Sequence, residues 1–337
     1  MAIRAEYIWT DGTEPTANVR SKTKILPKPV KGLDDLPIWG YDGSSTNQAP
    51  GKASDVVLQP VFTCPDPIRG GDDVLVMCEV LLTDMTPHKT NTRAQLREVA
   101  AKYGSHEPLF GIEQEYTLFK GMRPLGFPEA GGFPRPQGPY YCGVGADEIF
   151  GRPVVEAHLD ACLKAGLSVS GINAEVMPGQ WEFQVGPLAP LDVSDQLWVA
   201  RWLLHRIGED FGISATLDPK PVRGDWNGAG AHTNFSTKEM RESYDAVVTA
   251  AEALGKNVDE HIANYGFGIE GRLTGAHETA PYDQFSYGVS DRGASVRIPW
   301  QVEKDGKGYI EDRRPNANCD PYLVTRLITN TCCAALG

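Results

Sequence analysis

The apolar pattern of the 337-residue chain changes at Asn91. Before that residue, apolar side chains form short or alternating runs such as Val74 to Leu82, and clusters of Pro, Gly and Asp separate them, which is typical of strands joined by turns. From Asn91 to Gly104, a capping residue, helical apolar spacing and a closing glycine predict a helix. We therefore expect a small β-rich domain over residues 1–90 and a larger domain over residues 91–337.

The second part of the chain mixes helical and extended patterns. Caps, first-turn prolines and apolar stripes predict helices over residues 152–166, 192–212, 236–254 and 320–336. The third of these is predicted from the capping box Ser236-x-x-Glu239. Short extended segments are interleaved with the helices, at residues 110–119, 172–185, 231–235, 296–300 and 309–313. This alternation indicates an α+β catalytic-type domain, and the long Gly/Pro/aromatic loop 121–145 has a length common in functional loops.

Charge and composition narrow the functional classes. The chain carries 32 Lys+Arg against 44 Asp+Glu, a net charge of -12, whereas general binding to nucleic acid or anionic membranes needs a cationic surface. No segment approaches the roughly 20 apolar residues that span a bilayer, and the N-terminus lacks a signal-peptide stretch, so we expect a cytoplasmic protein. The seven cysteines form an odd set without C-x-x-C pairs and are expected to be mostly buried free thiols.

Two glutamates stand side by side on a predicted strand. In the segment from Phe110 to Phe119, a period of two places Glu113 and Glu115 on one face and Ile112 on the other. For an isolated Glu-x-Glu a solvated strand face is the favoured interpretation, so this pair alone does not indicate a site.

A second acidic pair changes that balance. Pro178-Gly179 is a turn signal between two extended runs that contain Glu175 and Glu182. With a two-residue loop, Glu175 lies directly opposite Glu182, and facing like charges are destabilising unless something such as a divalent cation neutralises them. Pro-Gly favours a type II turn, which suits a tight hairpin less well than Asn-Gly does.

Two further segments carry polar side chains that suit a ligand site. A glycine-rich loop from Gly224 runs into a short strand with His232, so that backbone amides can approach a ligand beside the imidazole. Glu311 and Arg313 share one face of a later strand. A satisfied polar histidine and a salt-linked strand are the structural alternatives, and the residues alone leave them open.

Several arginines accompany these acids, namely Arg272, Arg292, Arg297 and Arg313. Guanidinium groups make permanent, bidentate contacts with carboxylates and phosphates, and an arginine-lined acidic metal pocket suits phosphoryl transfer. Oxygen ligands with at most one imidazole favour Mg²⁺ or Mn²⁺. Walker A, kinase and dinucleotide-binding signatures are absent from the sequence, so a nucleotide would be held in another way.

Over nearly its whole length the sequence resembles glutamine synthetases of the shorter, eukaryotic-like type II. The strings that agree in content and spacing are Trp39-Gly-Tyr-Asp-Gly-Ser-Ser-Thr, Phe110-Gly-Ile-Glu-Gln-Glu-Tyr, Asn173-Ala-Glu-Val-Met-Pro-Gly-Gln-Trp-Glu-Phe-Gln, Trp226-Asn-Gly-Ala-Gly-Ala-His-Thr-Asn-Phe-Ser and Arg272-Leu-Thr-Gly-Ala-His-Glu. The resemblance implies an ATP-dependent ligase of nitrogen assimilation. Such an enzyme phosphorylates the γ-carboxylate of glutamate and lets ammonia displace the phosphate, giving glutamine, ADP and phosphate.

The resemblance also implies a role for each matching residue. The residues that would hold two or more Mg²⁺ or Mn²⁺ ions are Glu115, Glu175 and Glu182 for one ion and Glu113, His232 and Glu311 for another. Those that would orient glutamate are Asn227, Gly228, Arg272 and Arg313. Those that would contact ATP are Arg292, Arg297 and Tyr309. The catalytic set would be Asp42 and Glu278, whose carboxylates bind ammonium and take its proton, together with Arg292 at the phosphates.

For the architecture, the resemblance implies an N-terminal β-grasp domain and a catalytic domain whose curved antiparallel sheet, a partial barrel, is backed by helices. The N-terminal domain of one subunit would close the active site of its neighbour, so Asp42 would act in trans, and the implied assembly is a decamer of two pentameric rings. Leu109 departs from the family pattern, because many relatives have tryptophan there.

Three other functions remain as alternatives. A paralogous ligase would join glutamate to a larger amine, although the retained Asp42 and Glu278 favour ammonia. A catalytically silent nitrogen-sensing protein would lack a metal-binding glutamate or a phosphate-binding arginine, and none is missing from the sequence. A metallohydrolase explains the acidic pairs but not the arginines together with Asp42 and Glu278.

Overall fold

The first of two sheets is built from the N-terminal part of the chain in a computed structural model that describes residues 2–337. Its strands are β1 (Ile3–Thr10), β2 (Val19–Leu26), β3 (Trp39–Asp42), β4 (Asp55–Pro65) and β5 (Val74–Leu81). Their order is β2-β1-β5-β4-β3, and only the β1–β5 pair is parallel. Tyr7, Leu58 and Val76 are buried in an apolar cluster of this sheet's own.

The second sheet has nine strands, each a short segment of the remaining chain. They are β6 (Leu109–Lys120), β7 (Arg123–Pro124), β8 (Val169–Ala174), β9 (Gln180–Leu188), β10 (Ser214–Thr216), β11 (Ala231–Ser236), β12 (Tyr287–Val289), β13 (Val296–Ile298) and β14 (Ile310–Asp312). The order is β12-β13-β14-β11-β6-β9-β8, with β7 and β10 also pairing with β6. All pairs are antiparallel except β12–β13.

Helices are interleaved with the strands of the second sheet, so the predicted α+β class is confirmed. They are α1 (Thr92–Lys102), α2 (Arg152–Lys164), α3 (Pro190–Phe211), α4 (Tyr244–Lys256), α5 (Val258–Asn264), α6 (Ile269–Arg272), α7 (Trp300–Asp305) and α8 (Pro321–Leu336). Within residues 2–337, none of these helices has the length and apolar character needed to cross a bilayer. All seven cysteines are free, and all but Cys142 are buried, as expected.

Side-chain caps mark where two of the helices, α1 and α8, begin. The Asn91 side chain accepts a hydrogen bond from the Ala94 N–H at 3.0 Å, which confirms the predicted start of α1. At α8, Asp320 accepts one from the Tyr322 N–H at 2.9 Å. Both caps satisfy amide groups that the helix itself leaves without partners.

The helix predicted from the capping box at Ser236 is wrong at its start. Ser236 ends β11, and α4 begins only at Tyr244. The Glu239 carboxylate lies 3.0 Å from the His106 ring instead of closing a capping box. A long-range contact therefore replaces the local signal, and the intervening residues form turns.

Helix α3 supports the second sheet from behind. It packs on β6, β9 and β10, and its fully buried Leu197 and Leu203 belong to one apolar cluster with Ile112 and Tyr116 of β6. Because side chains alternate along a strand, the opposite face of β6 carries the glutamates. The apolar packing on α3 therefore fixes which way Glu113 and Glu115 point.

Truncation of Leu197 tests this support. We expect Leu197→Ala to lower the free energy of unfolding by about 2–5 kcal/mol, because it leaves a cavity between α3 and the sheet. Denaturant unfolding followed by circular dichroism measures the change. Leu163→Ala is the matched control, since Leu163 is also helical but 54% exposed, and an equal loss in both variants would contradict the role given to α3.

Candidate functional site

Three adjacent strands bring the acidic side chains and the imidazole together. Glu113 on β6 is opposite His232 on β11, and Glu115 is opposite Glu182 on β9. The prediction that Glu113 and Glu115 share a face is confirmed, because both line one cavity of about 600 Å³. Sheet register thus places groups that lie far apart in sequence within one site.

Most of the predicted site residues line this same cavity, which we call the acidic cavity. Its predicted members are Glu113, Glu115, Glu175, Glu182, Asn227, Gly228, His232, Arg272, Glu278, Arg292, Arg297, Glu311 and Arg313. Tyr309 and Asp42 do not line it. The acidic pairs and the arginines therefore share one space, as phosphoryl transfer requires.

The hairpin register predicted for Glu175 and Glu182 is wrong by two residues. Asn173 lies opposite Glu182, and the Glu175 N–H donates to the Gln180 carbonyl at 2.9 Å. Gly179 has a φ of 73°, as the third residue of a type II turn requires, and the resulting loop is longer than two residues. The facing pair of like charges is instead Glu115 and Glu182, across β6 and β9.

The acidic groups are close and poorly solvated. Ligand atoms of Glu115, Glu175 and Glu182 all lie within 4.8 Å of one another, as do those of Glu113, Glu182 and His232. Burial raises the pKa of Glu182 to about 9, and neighbouring carboxylates add to the shift. Burial likewise raises the pKa values of Glu115 and Glu175. A cation is therefore needed to hold Glu115, Glu175 and Glu182 all ionised near neutral pH.

His232 supplies a neutral imidazole beside these acids. Its Nδ1 lies 3.6 Å from carboxylate oxygens of both Glu113 and Glu311. Burial, with a contribution from the nearby Arg313, holds its pKa well below the ordinary value. A neutral imidazole with three or more carboxylates is a donor set that fits Mg²⁺ or Mn²⁺.

Glu311 is held differently, because two arginines bind it. Arg297 Nη1 donates to one of its oxygens at 2.7 Å and Arg313 Nη1 to the other at 2.6 Å. Arg313 also donates to the Glu278 carbonyl at 3.3 Å, whereas Arg292 is exposed at the rim. The guanidinium groups of Arg297 and Arg313 thus both lie against Glu311 in the cavity wall.

A glycine-rich loop lines the acidic cavity beside Arg272. The Arg272 guanidinium is buried and donates to the Arg313 carbonyl at 3.0 Å, while the same nitrogen lies 3.1 Å from His232 Nε2. A Cβ at Gly228 would lie 2.7 Å from the Pro219 carbonyl oxygen and 2.8 Å from Arg272 Cγ. Only glycine fits at this position, because the backbone of the loop lies so close to Pro219 and Arg272. This explains why the sequence of the loop is rich in glycine.

Gln137 is a cavity residue that the sequence analysis missed. Its Oε1 accepts a hydrogen bond from the Asn227 N–H at 2.6 Å, and its Nε2 lies 3.3 Å from His277 Nδ1. It therefore connects the loop of Asn227 to that of Glu278. The only available signal was the length of the 121–145 loop in which it lies.

A second, more apolar cavity adjoins the first. Its volume is about 480 Å³, and Glu113 lines both spaces. Tyr309 and Leu109 are on its wall. An apolar pocket next to a charged one suits a ligand with a flat base and a polyanionic tail.

The two predicted ammonium-site residues lie in different parts of the chain. Glu278 lines the acidic cavity in a left-handed backbone conformation, with a φ of 58°. Asp42 ends β3 of the first sheet and is exposed. Hydrogen bonds from Ser44 and Ser45 hold the pKa of Asp42 below its usual value, so it is ionised at neutral pH. The structure of one chain does not bring Asp42 and Glu278 into one cavity.

Comparison with known proteins assigns both parts of the chain. Residues 2–83 match the family model described as "Glutamine synthetase, beta-Grasp domain", and residues 89–265 match "Glutamine synthetase, catalytic domain". The chain is 75% identical to a glutamine synthetase of Streptomyces viridochromogenes, over 100% of this chain and 98% of the relative. Identity is 62% to one of Frankia alni (100% and 94% covered) and 53% to one of Saccharomyces cerevisiae (99% and 90% covered).

The pKa of Glu182 predicts how stability depends on pH. Without metal, the folded state keeps a proton that the unfolded chain loses near the ordinary value of 4.5, and it releases that proton only at about 9. The folded state therefore binds more protons across this window, so the free energy of unfolding falls as pH rises. We expect the melting temperature of the protein in chelator to fall over this window, and Mg²⁺ to oppose the fall.

Glu182→Gln isolates this contribution because it keeps the shape and removes the titration. We expect a flatter dependence of melting temperature on pH for this variant in chelator. The control is Glu303→Gln, an exposed position on α7. Superimposable curves for Glu182→Gln and the unsubstituted protein would contradict the raised pKa.

Proposed function

The chain belongs to the glutamine synthetase family, and on that premise we propose that its acidic cavity joins ammonia to the γ-carboxylate of L-glutamate with ATP as co-substrate. The products are L-glutamine, ADP and phosphate. The observation that carries the proposal is that clustered glutamates and several arginines line one cavity beside an apolar pocket. We also propose residues 1–90 as the β-grasp domain and residues 91–337 as the catalytic domain.

The clustered carboxylates fit two or more Mg²⁺ or Mn²⁺ ions. The residues proposed to hold them are Glu115, Glu175 and Glu182 for one ion and Glu113, His232 and Glu311 for another. When bound, such ions neutralise the phosphates of ATP and the charge that develops on the transferred phosphoryl group. The proximity of His232 Nδ1 to both Glu113 and Glu311, at 3.6 Å each, supports the second set.

The substrates are proposed to meet between the glutamates and the arginines. The residues proposed to orient glutamate are Asn227, Gly228, Arg272 and Arg313. Arg292 and Arg297 would contact the phosphates of ATP, and Tyr309 would lie beside the nucleoside in the apolar pocket. Leu109 offers that pocket an aliphatic wall, so base stacking there would depend on Tyr309.

The proposed reaction has two steps. A γ-carboxylate oxygen of glutamate attacks the γ-phosphorus of ATP, the bond to the bridging oxygen breaks, and ADP leaves. Ammonia then attacks the acyl carbon of γ-glutamyl phosphate and inorganic phosphate leaves. The permanently charged Arg292 guanidinium would stabilise charge on the transferred group. Glu278 and Asp42 bind ammonium and accept its proton, since only neutral NH₃ is a nucleophile.

This role for Asp42 requires a second subunit. Asp42 lies on the first sheet and Glu278 in the acidic cavity, and one chain does not join them. We therefore propose a homo-oligomer in which the N-terminal domain of one subunit closes the cavity of the next, with two pentameric rings as the assembly. A symmetric ring supplies every cavity with one neighbouring Asp42.

Product formation tests the reaction directly. With purified protein and Mg²⁺, we expect sustained ADP release only when glutamate and ammonium are both present, in a one-to-one ratio with glutamine. Coupled ADP detection and glutamine analysis measure the two products. Little ADP under every combination would refute the ligase proposal, and faster turnover with a polyamine than with ammonium would favour a γ-glutamyl-amine ligase.

Mixed oligomers test whether Asp42 acts in trans. Asp42→Ala and Glu278→Ala should each lower turnover by about 100-fold or more, because each removes a proton acceptor. When the two variants are mixed in equal amounts and co-assemble at random, about a quarter of the shared sites receive an intact Asp42 from one subunit and an intact Glu278 from its neighbour. Activity should then return to about a quarter of the unsubstituted value. Asp84→Ala is the control, since Asp84 is another exposed, turn-capping aspartate of the same domain. Mixed oligomers no more active than their parents would contradict the shared site.

A further inference from the structure

Neutral amide donors hold the clustered carboxylates of the acidic cavity. Asn173 Nδ2 donates to Glu175 Oε1 at 2.9 Å, and Gln184 Nε2 donates to Glu182 Oε1 at 2.7 Å. Asn234 Nδ2 donates to Glu113 Oε1 at 2.7 Å. For the remaining glutamate, Glu115, the donor is the backbone N–H of Gly230, at 2.6 Å.

The three carboxamides follow one spacing rule. Each lies two residues along its own strand or strand end from a proposed metal ligand, in the pairs Asn173/Glu175, Glu182/Gln184 and His232/Asn234. A strand period of two puts residues at this spacing on one face. The three carboxamides therefore lie on the same sheet face as the proposed metal ligands and next to them. All three are only half-buried.

The hydrogen bonds leave the second carboxylate oxygen available. At Glu113, Asn234 occupies Oε1, while Oε2 is the oxygen that lies 3.6 Å from His232 Nδ1. A neutral donor orients a carboxylate without cancelling its charge. Glu311 is the contrast, because the guanidinium groups of Arg297 and Arg313 bind both its oxygens. The neutral donors thus fix the direction of these carboxylates without placing a positive charge where a cation would bind.

We propose that Asn173, Gln184 and Asn234 are positioning residues that orient the metal-binding carboxylates through neutral N–H donors and so set the affinity of the cavity for divalent cations. The inference rests on the metal-binding part of the proposed function. Groups that orient ligating side chains typically contribute about 10- to 100-fold in metal affinity. The two amides on the hairpin also contact each other, since Gln184 Nε2 lies 3.4 Å from Asn173 Oδ1.

Direct titration of the assembled, metal-stripped protein with Mn²⁺ tests the proposal. The variants are Asn173→Leu, Gln184→Met and Asn234→Leu, which keep approximate shape and remove the donor without adding charge. We expect each to weaken the Kd for Mn²⁺ by about 10-fold or more with the number of bound ions unchanged. Isothermal titration calorimetry in the absence of substrates gives both quantities.

Gln301→Met is the matched control, because Gln301 is exposed on α7 and donates only to Asp305. Its Kd should equal that of the unsubstituted protein. Melting temperatures in chelator identify any variant that fails to fold, and the other variants then carry the test. A purely structural role would lower the melting temperature and leave the Kd for Mn²⁺ unchanged, which would overturn the proposal.

Two negative results have different meanings. If the unsubstituted protein binds no Mn²⁺, both the metal sites and this inference are wrong. If it binds Mn²⁺ but forms no glutamine, only the proposed reaction is wrong. Values of Kd within twofold of the unsubstituted protein for all three folded variants would refute the positioning role alone.

Discussion

The burial of several like charges in one cavity is the constraint on which the rest of the structure depends. Glu115, Glu175 and Glu182 are each at most 9% exposed, and their oxygens lie within 4.8 Å of one another. Desolvation and mutual repulsion both oppose ionisation of such a cluster. A protein that keeps these side chains together must hold their strands by interactions on the opposite face.

The opposite face of the sheet supplies that support through packing and buried polar contacts. Between Glu113 and Glu115, Gln114 points away from the cavity and accepts hydrogen bonds from the fully buried Arg201 at 2.6 and 2.8 Å. Arg201 also donates to the Cys319 carbonyl at 2.8 Å and thereby ties β6 to the segment before α8. Burying a guanidinium without such partners costs free energy, so these hydrogen bonds stabilise the position of β6.

Alternation along the strands explains which parts of the site were predictable. The period of two correctly placed Glu113 and Glu115 together, since that inference needs only a strand. It failed for the hairpin, because the loop at Pro178-Gly179 determines the register and a type II turn leads to a longer connection. The capping box at Ser236 failed for a related reason, since Glu239 contacts the distant His106. The carboxamide contacts are compatible with the sequence spacing, yet their donors and distances appear only in the folded sheet.

The sequence by itself determined the family, the α+β class and the chemical identity of the groups that line the cavity, because long motif strings specify residue types and local periodicity specifies faces. Tertiary structure decided which groups meet. Glu115 faces Glu182, Gln137 connects the loops of Asn227 and Glu278, and Asp42 lies outside the acidic cavity of its own chain. These relations depend on strand register and on contacts between residues far apart in the chain, and local preference does not encode either of them.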